Sequence, residues 1–108
     1  TFMGKQIDKI TTKTTNMIDS TTAASLTEMM ANNVVSHYGS ENFPGLSLCA
    51  KSGTAEVGDY KEPHAWFAGF LNDDSNPYAF IVLVENSGYG ADVAGAVANT
   101  VMQAVVNR

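Results

Sequence analysis

The chain has 108 residues, of which 44% are hydrophobic and 16% charged, with a formal net charge of −5. That composition is ordinary for a globular protein, and the length suits one domain, or part of one, with a modest core. The lysines are scattered at positions 5, 9, 13, 51 and 61 in an acidic chain, which excludes a nucleic-acid role resting on a basic face.

Residues 1–19 hold short apolar spots separated by Thr, Lys and Asn and predict a weak strand or extended arm. Asp19 or Ser20 is placed to cap a helix by accepting a hydrogen bond from an orphan backbone N–H. Ala23, Leu26, Met30 and Val34 then recur at three- and four-residue steps, predicting a helix over 20–38 that stops at Gly39. Met29 and Met30 read as core packing. After the turn "GSENFPG", three strands are predicted, at 46–57, 64–72 and 78–86, joined by turns short enough for antiparallel hairpins. "HAWFAGFL" and "YAFIVLVE" are apolar at consecutive positions, a pattern that predicts cover on both faces. Val93, Val97, Val101 and Val105, flanked by Ala94, Ala98 and Met102, predict a closing helix over 91–106 that lies on the sheet. The fold class is therefore α+β, an antiparallel sheet (46–86) packed with N- and C-terminal helices.

Most candidate sites reduce to local structure. The single cysteine, Cys49, allows no internal disulfide and sits in an apolar run as a small buried residue; no Cys/His cluster has zinc spacing. The longest apolar run, 78–84, is far below the roughly 18 residues that cross a bilayer. No signal-peptide pattern is visible, and a start at Thr1 is what a piece of a longer protein would show. "NSGYGADVAG" has the setting of a dinucleotide fingerprint, with Gly88 and Gly90, but Val93 stands at the third glycine position and the sequence supplies no following strand for a ribose-binding acid. Asp73 and Asp74 fit a solvated turn beside Ser75-Asn76-Pro77. His37 and His64 have no partner at metal or triad spacing.

The stretch Lys51-Ser52-Gly53-Thr54-Ala55 is different, because an apolar strand ends in a cation, a hydroxyl, a bare backbone position and a second hydroxyl. Lys-Thr-Gly is a motif of penicillin-binding proteins and class A β-lactamases. "CAKSGTAEV", "HAWFAGF", "YAFIVLVEN" and the C-terminal helix resemble, in that order, the last third of a penicillin-binding protein transpeptidase domain. "STTAASLTEMMANNVVSHYGSENFPG" resembles the segment before that motif in the monofunctional, class B members. The likeness covers residues 20–108.

The resemblance implies a β-lactamase/transpeptidase-like fold, in which the three strands here are part of a five-stranded sheet. It also implies serine acyl transfer on D-Ala-D-Ala stem peptides of peptidoglycan, β-lactam binding, and no cofactor or metal. The implied location is the extracytoplasmic face of a bacterial membrane. By resemblance, Lys51 and Thr54 are catalytic: Lys51 points its charge into the cleft, and Thr54 offers its backbone N–H to the oxyanion. Ser52, Gly53 and Thr54 bind substrate, through the Ser52 hydroxyl on the terminal carboxylate, the bare backbone of Gly53, and the Thr54 hydroxyl near that carboxylate.

The family's other two motifs do not complete the site. No serine or threonine stands three residues before any lysine, since those positions hold Phe2, Gln6, Ile10, Leu48 and Gly58. The nucleophile motif Ser-x-x-Lys is thus absent from these 108 residues. Ser40-Glu41-Asn42 matches Ser-x-Asn as a string but lies only eleven positions before Lys51, whereas the family carries it much further upstream. The expectation is a chain inactive by itself, with an uncovered sheet edge prone to dimerisation or strand exchange. Two readings stand beside the transpeptidase: a β-lactamase or β-lactam-sensor piece, and a non-catalytic module that binds an extended peptide on the strand edge.

Overall fold

The computed structural model describes residues 11–108. Most of the expected N-terminal arm falls on residues 1–10, outside the described residues, and 11–19 carry no strand. Helix α1 (Ser20–Asn33) begins where Asp19 accepts the Thr22 N–H at 2.7 Å. That hydrogen bond also holds the Asp19 carboxyl below its ordinary range. The helix widens into a π-helical turn (Val34–Tyr38) and stops at Gly39, whose φ of +81° suits glycine. A 3₁₀ turn (Ser40–Asn42) leads to the sheet.

Strands β1 (Leu48–Ala55), β2 (His64–Leu71) and β3 (Ala79–Val84) form an antiparallel sheet in the order β1-β2-β3, and α2 (Gly90–Val106) crosses one face. Register pairs Ser52 with Phe67, Gly53 with Trp66 and Thr54 with Ala65. Phe67 is fully buried beneath α2, and its ring stacks with Phe43 and Phe80, centroids 5.8 and 6.0 Å apart. Tyr38 meets it edge-on at 5.3 Å. Gly69 lets β1 and β2 lie flat against each other, because a Cβ there would collide with the Cys49 carbonyl oxygen. Cys49 is buried, which pushes its thiol pKa up.

Three packing expectations need correction. Strand β3 alternates: Phe80, Val82 and Val84 face the core, while Ile81 and Leu83 are 67% and 42% exposed. Its apolar run therefore is not covered on both faces among the described residues. The fully buried stripe of α2 is Ala94, Ala98 and Met102; of the valines, Val93 and Val105 pack partly buried against the core, whereas Val97 and Val101 are half-exposed, so the middle of the helix approaches the sheet on small residues. On α1, Leu26 and Met29 face outward, and Thr27 joins Ala23 and Met30 on the partly buried side.

Candidate active site on the edge of strand β1

The sequence places Lys51 to Thr54 within β1, and the sheet order makes β1 an edge strand among the described residues. Along an antiparallel edge strand, alternate residues turn their backbone groups toward the neighbour and away from it. The Asn72 N–H donates to the Ser47 carbonyl, which assigns odd-numbered residues to the β2 ladder. Even-numbered residues face outward, and their hydrogen bonds show it. The Ala50 carbonyl accepts from Asn33 Nδ2 at 3.0 Å, and the Ser52 N–H donates to the Tyr38 hydroxyl at 2.8 Å. Two residues on, the same alternation turns the Thr54 N–H off the sheet edge.

Side chains alternate between faces as well. Ser52 and Thr54 share the α2 face with Phe67 and Ala65, whereas Lys51 and Gly53 lie on the opposite face with Ala68 and Trp66. Lys51 is exposed, and its Nζ donates to the Ser52 carbonyl at 2.6 Å, so the ammonium lies along the outer edge of its own strand. A Cβ on Gly53 would meet only the Trp66 Cβ, at 3.4 Å, which leaves that surface bare. The Thr54 Oγ1 accepts the Gly90 N–H at 3.4 Å and so sits at the N-terminus of α2. The positive end of the helix dipole thereby lies beside the edge strand.

The approach of α2 depends on Gly90, where a Cβ would collide with the carbonyl oxygens of Gly53 and Trp66. The preceding turn is pinned from two directions. The Asn86 N–H donates to His64 Nδ1 at 3.0 Å, and the Ser87 and Gly88 N–H groups both reach the Pro63 carbonyl. His64 thus has a structural partner, and Gly88 and Gly90 serve a strand-to-helix turn rather than a dinucleotide loop.

The remaining candidates have local explanations. Asp73 accepts from the Asn76 side chain at 3.0 Å and the Ser75 N–H at 2.9 Å, which lowers its carboxyl pKa and closes the turn. Ser40-Glu41-Asn42 forms the 3₁₀ turn, with Asn42 Nδ2 donating to the Tyr38 carbonyl. His37 lines a cleft of about 470 Å³ between the π-helical turn and α2, with Asp92 and Asn99 across it. No group of three or more potential metal ligands occurs among the described residues.

Sequence reasoning missed Tyr38 and Asn33, which tie the end of α1 to the outer edge of β1. An aromatic one residue before the Gly39 stop is the only trace of this contact in the sequence, and the 14-residue separation from Ser52 hides it.

Lys51-Ser52-Gly53 on this strand is similar to the Lys-Thr-Gly motif of penicillin-binding proteins and class A β-lactamases. The penicillin binding protein transpeptidase domain family matches residues 3–103, and the chain belongs to it. The peptidoglycan D,D-transpeptidase PbpA of Mycobacterium tuberculosis is 39% identical, over 78% of this chain and 18% of its own length. The structure of M. tuberculosis penicillin-binding protein A, as its imipenem acyl-enzyme complex, superposes with a TM-score of 0.68 at 32% identity, covering 82% of this chain and 20% of that one. The D,D-transpeptidase domain of an Eggerthella lenta peptidoglycan glycosyltransferase shares the fold, with a TM-score of 0.67, 23% identity, and coverage of 81% and 20%. The chain thus spans about a fifth of the length of its relatives.

Proposed function

We propose that this chain forms one wall of the acyl-transfer site of a peptidoglycan D,D-transpeptidase. The observation that carries the reading is the outer edge of β1. Lys51, Ser52, Gly53 and the outward N–H of Thr54 stand in a row there, beside the N-terminus of α2. An extended stem peptide ending in D-Ala-D-Ala would lie along this edge by main-chain pairing. The Ser52 hydroxyl and the Lys51 charge suit its terminal carboxylate, and Gly53 lets the peptide backbone come close.

The reaction needs a serine supplied by another part of the full-length protein. Its hydroxyl adds to the penultimate D-Ala carbonyl, terminal D-Ala leaves carrying a proton, and an amine of a second stem displaces the serine, which regains its proton. Negative charge builds on the carbonyl oxygen in each addition. The Thr54 N–H is one donor to that oxygen, and a single donor of this kind is worth roughly 3–4 kcal/mol of transition-state stabilisation. Losing the nucleophile costs on the order of 10⁶ in turnover. β-Lactams would enter the same edge, and the protein would work on the extracytoplasmic face of a bacterial membrane. No helix among the described residues is long and apolar enough to cross one.

Fluorescent penicillin tests the proposal. The full-length protein is expected to label covalently at one equivalent, and the 108-residue chain not at all. Stoichiometric labelling of the short chain would overturn the assignment of roles, and an unlabelled full-length protein would overturn the transpeptidase itself. Hydrolysis of the β-lactam with rapid turnover would instead identify a β-lactamase.

A further inference from the structure

We infer that Tyr38 is a positioning residue that sets Ser52 as a one-way hydrogen-bond donor toward the substrate carboxylate. The inference rests on the transpeptidase reading above and adds a residue to it. The Tyr38 hydroxyl makes two bonds to the same residue: it donates to Ser52 Oγ at 3.0 Å and accepts from the Ser52 N–H at 2.8 Å. A tyrosine hydroxyl has one proton, and because the Tyr38 oxygen already accepts the Ser52 N–H, we assign that proton to Ser52 Oγ. The Ser52 oxygen thereby receives a donor, and its own proton is left to point elsewhere. A group that must accept a hydrogen bond and offers no proton in return is the matching ligand, and an ionised carboxylate is such a group.

The same pair of bonds fixes where the substrate strand begins. The outward N–H of Ser52 is taken by Tyr38, and the outward carbonyl of Ala50 by Asn33, so the free main-chain edge starts at Thr54. The aromatic ring is itself held edge-on to Phe67, which is fully buried, so the hydroxyl has little freedom to move away. Tyr38 is therefore a lock on the orientation and polarity of Ser52, anchored in the core at one end and at the site on the other.

Tyr38→Phe keeps the ring and removes the hydroxyl. In the full-length protein, the second-order acylation rate with a β-lactam bearing its free carboxylate is expected to fall about three- to ten-fold, the worth of one net hydrogen bond. With the same β-lactam carrying an amidated carboxylate, wild type and Tyr38→Phe are expected to react at equal rates. Ser52→Ala supplies the second arm. It should lose at least as much on the free acid, and Tyr38→Phe added to it should cost less than Tyr38→Phe alone. An equal loss on acid and amide would overturn the inference in favour of a purely structural tyrosine. So would an unchanged rate on the acid, or losses from Tyr38→Phe and Ser52→Ala that add in full. A wild-type protein that no β-lactam acylates would overturn the transpeptidase reading instead.

Discussion

Gly90 shows how one missing methyl group organises this site. It is buried against the backbone of β1 and β2, and a Cβ would strike two carbonyl oxygens that no rotamer change can move aside. Alanine at a helix position normally gains up to about 1 kcal/mol over glycine. Here the forced displacement is expected to outweigh that gain, because overpacking against immobile atoms costs about 1–3 kcal/mol. Gly90→Ala should therefore lower the urea midpoint of unfolding even though it improves helix propensity. It should also slow penicillin acylation of the full-length protein, since lifting α2 breaks the Gly90 N–H bond to Thr54 Oγ1. An unchanged or raised midpoint would show that α2 has room to spare. Gly58, by contrast, has open space around it, and its positive φ of 126° alone accounts for the glycine.

At the scale of elements, the packing of α2 separates two apolar stripes that the sequence presents together. Met102 is buried between the helix and the sheet, so Met102→Ala should cost about 2–4 kcal/mol, the lost transfer energy plus a cavity. Val101 is 47% exposed, and Val101→Ser should stay within about 0.5 kcal/mol. Chemical denaturation of both variants reads the difference; equal losses would place the valine stripe on the sheet after all. The element types and order were legible because each carries a strong period and a turn signal, such as Asp19 before α1 and Asn86-Ser87-Gly88 before α2. The face of α2 was not legible, because a four-residue valine repeat outweighs alanine on any hydropathy count, while close helix–sheet approach favours the smaller side chain. The Lys51–Thr54 row was legible as a motif at a strand end. Its Tyr38 partner was not, since a side chain reaching across 14 residues leaves no local pattern.

At the scale of the whole molecule, α2 closes one face of the sheet, while the opposite face is covered at Cys49 and open over β3. Beyond α2's side, Ile81 and Leu83 project from β3, with Ala68 and Trp66 as their cross-strand neighbours, and β3 has no partner on its outer edge among the described residues. An apolar face joined to an unpaired strand edge favours pairing with another chain. In the full-length protein, further strands of the family sheet are expected to take that place. The 108-residue chain alone is expected to pair β3 with β3 of a second copy, which lines up two antiparallel edges and brings Ile81 and Leu83 of both copies side by side on one face. Light scattering at micromolar concentration should then give a dimer mass or higher. Ile81→Lys, which puts a charge on the middle of the exposed strand face, should shift the mass toward monomer without unfolding the α2 side of the sheet. A monomeric wild-type chain would mean that the open face is tolerated in water, and an Ile81→Lys dimer would move the contact elsewhere on the surface.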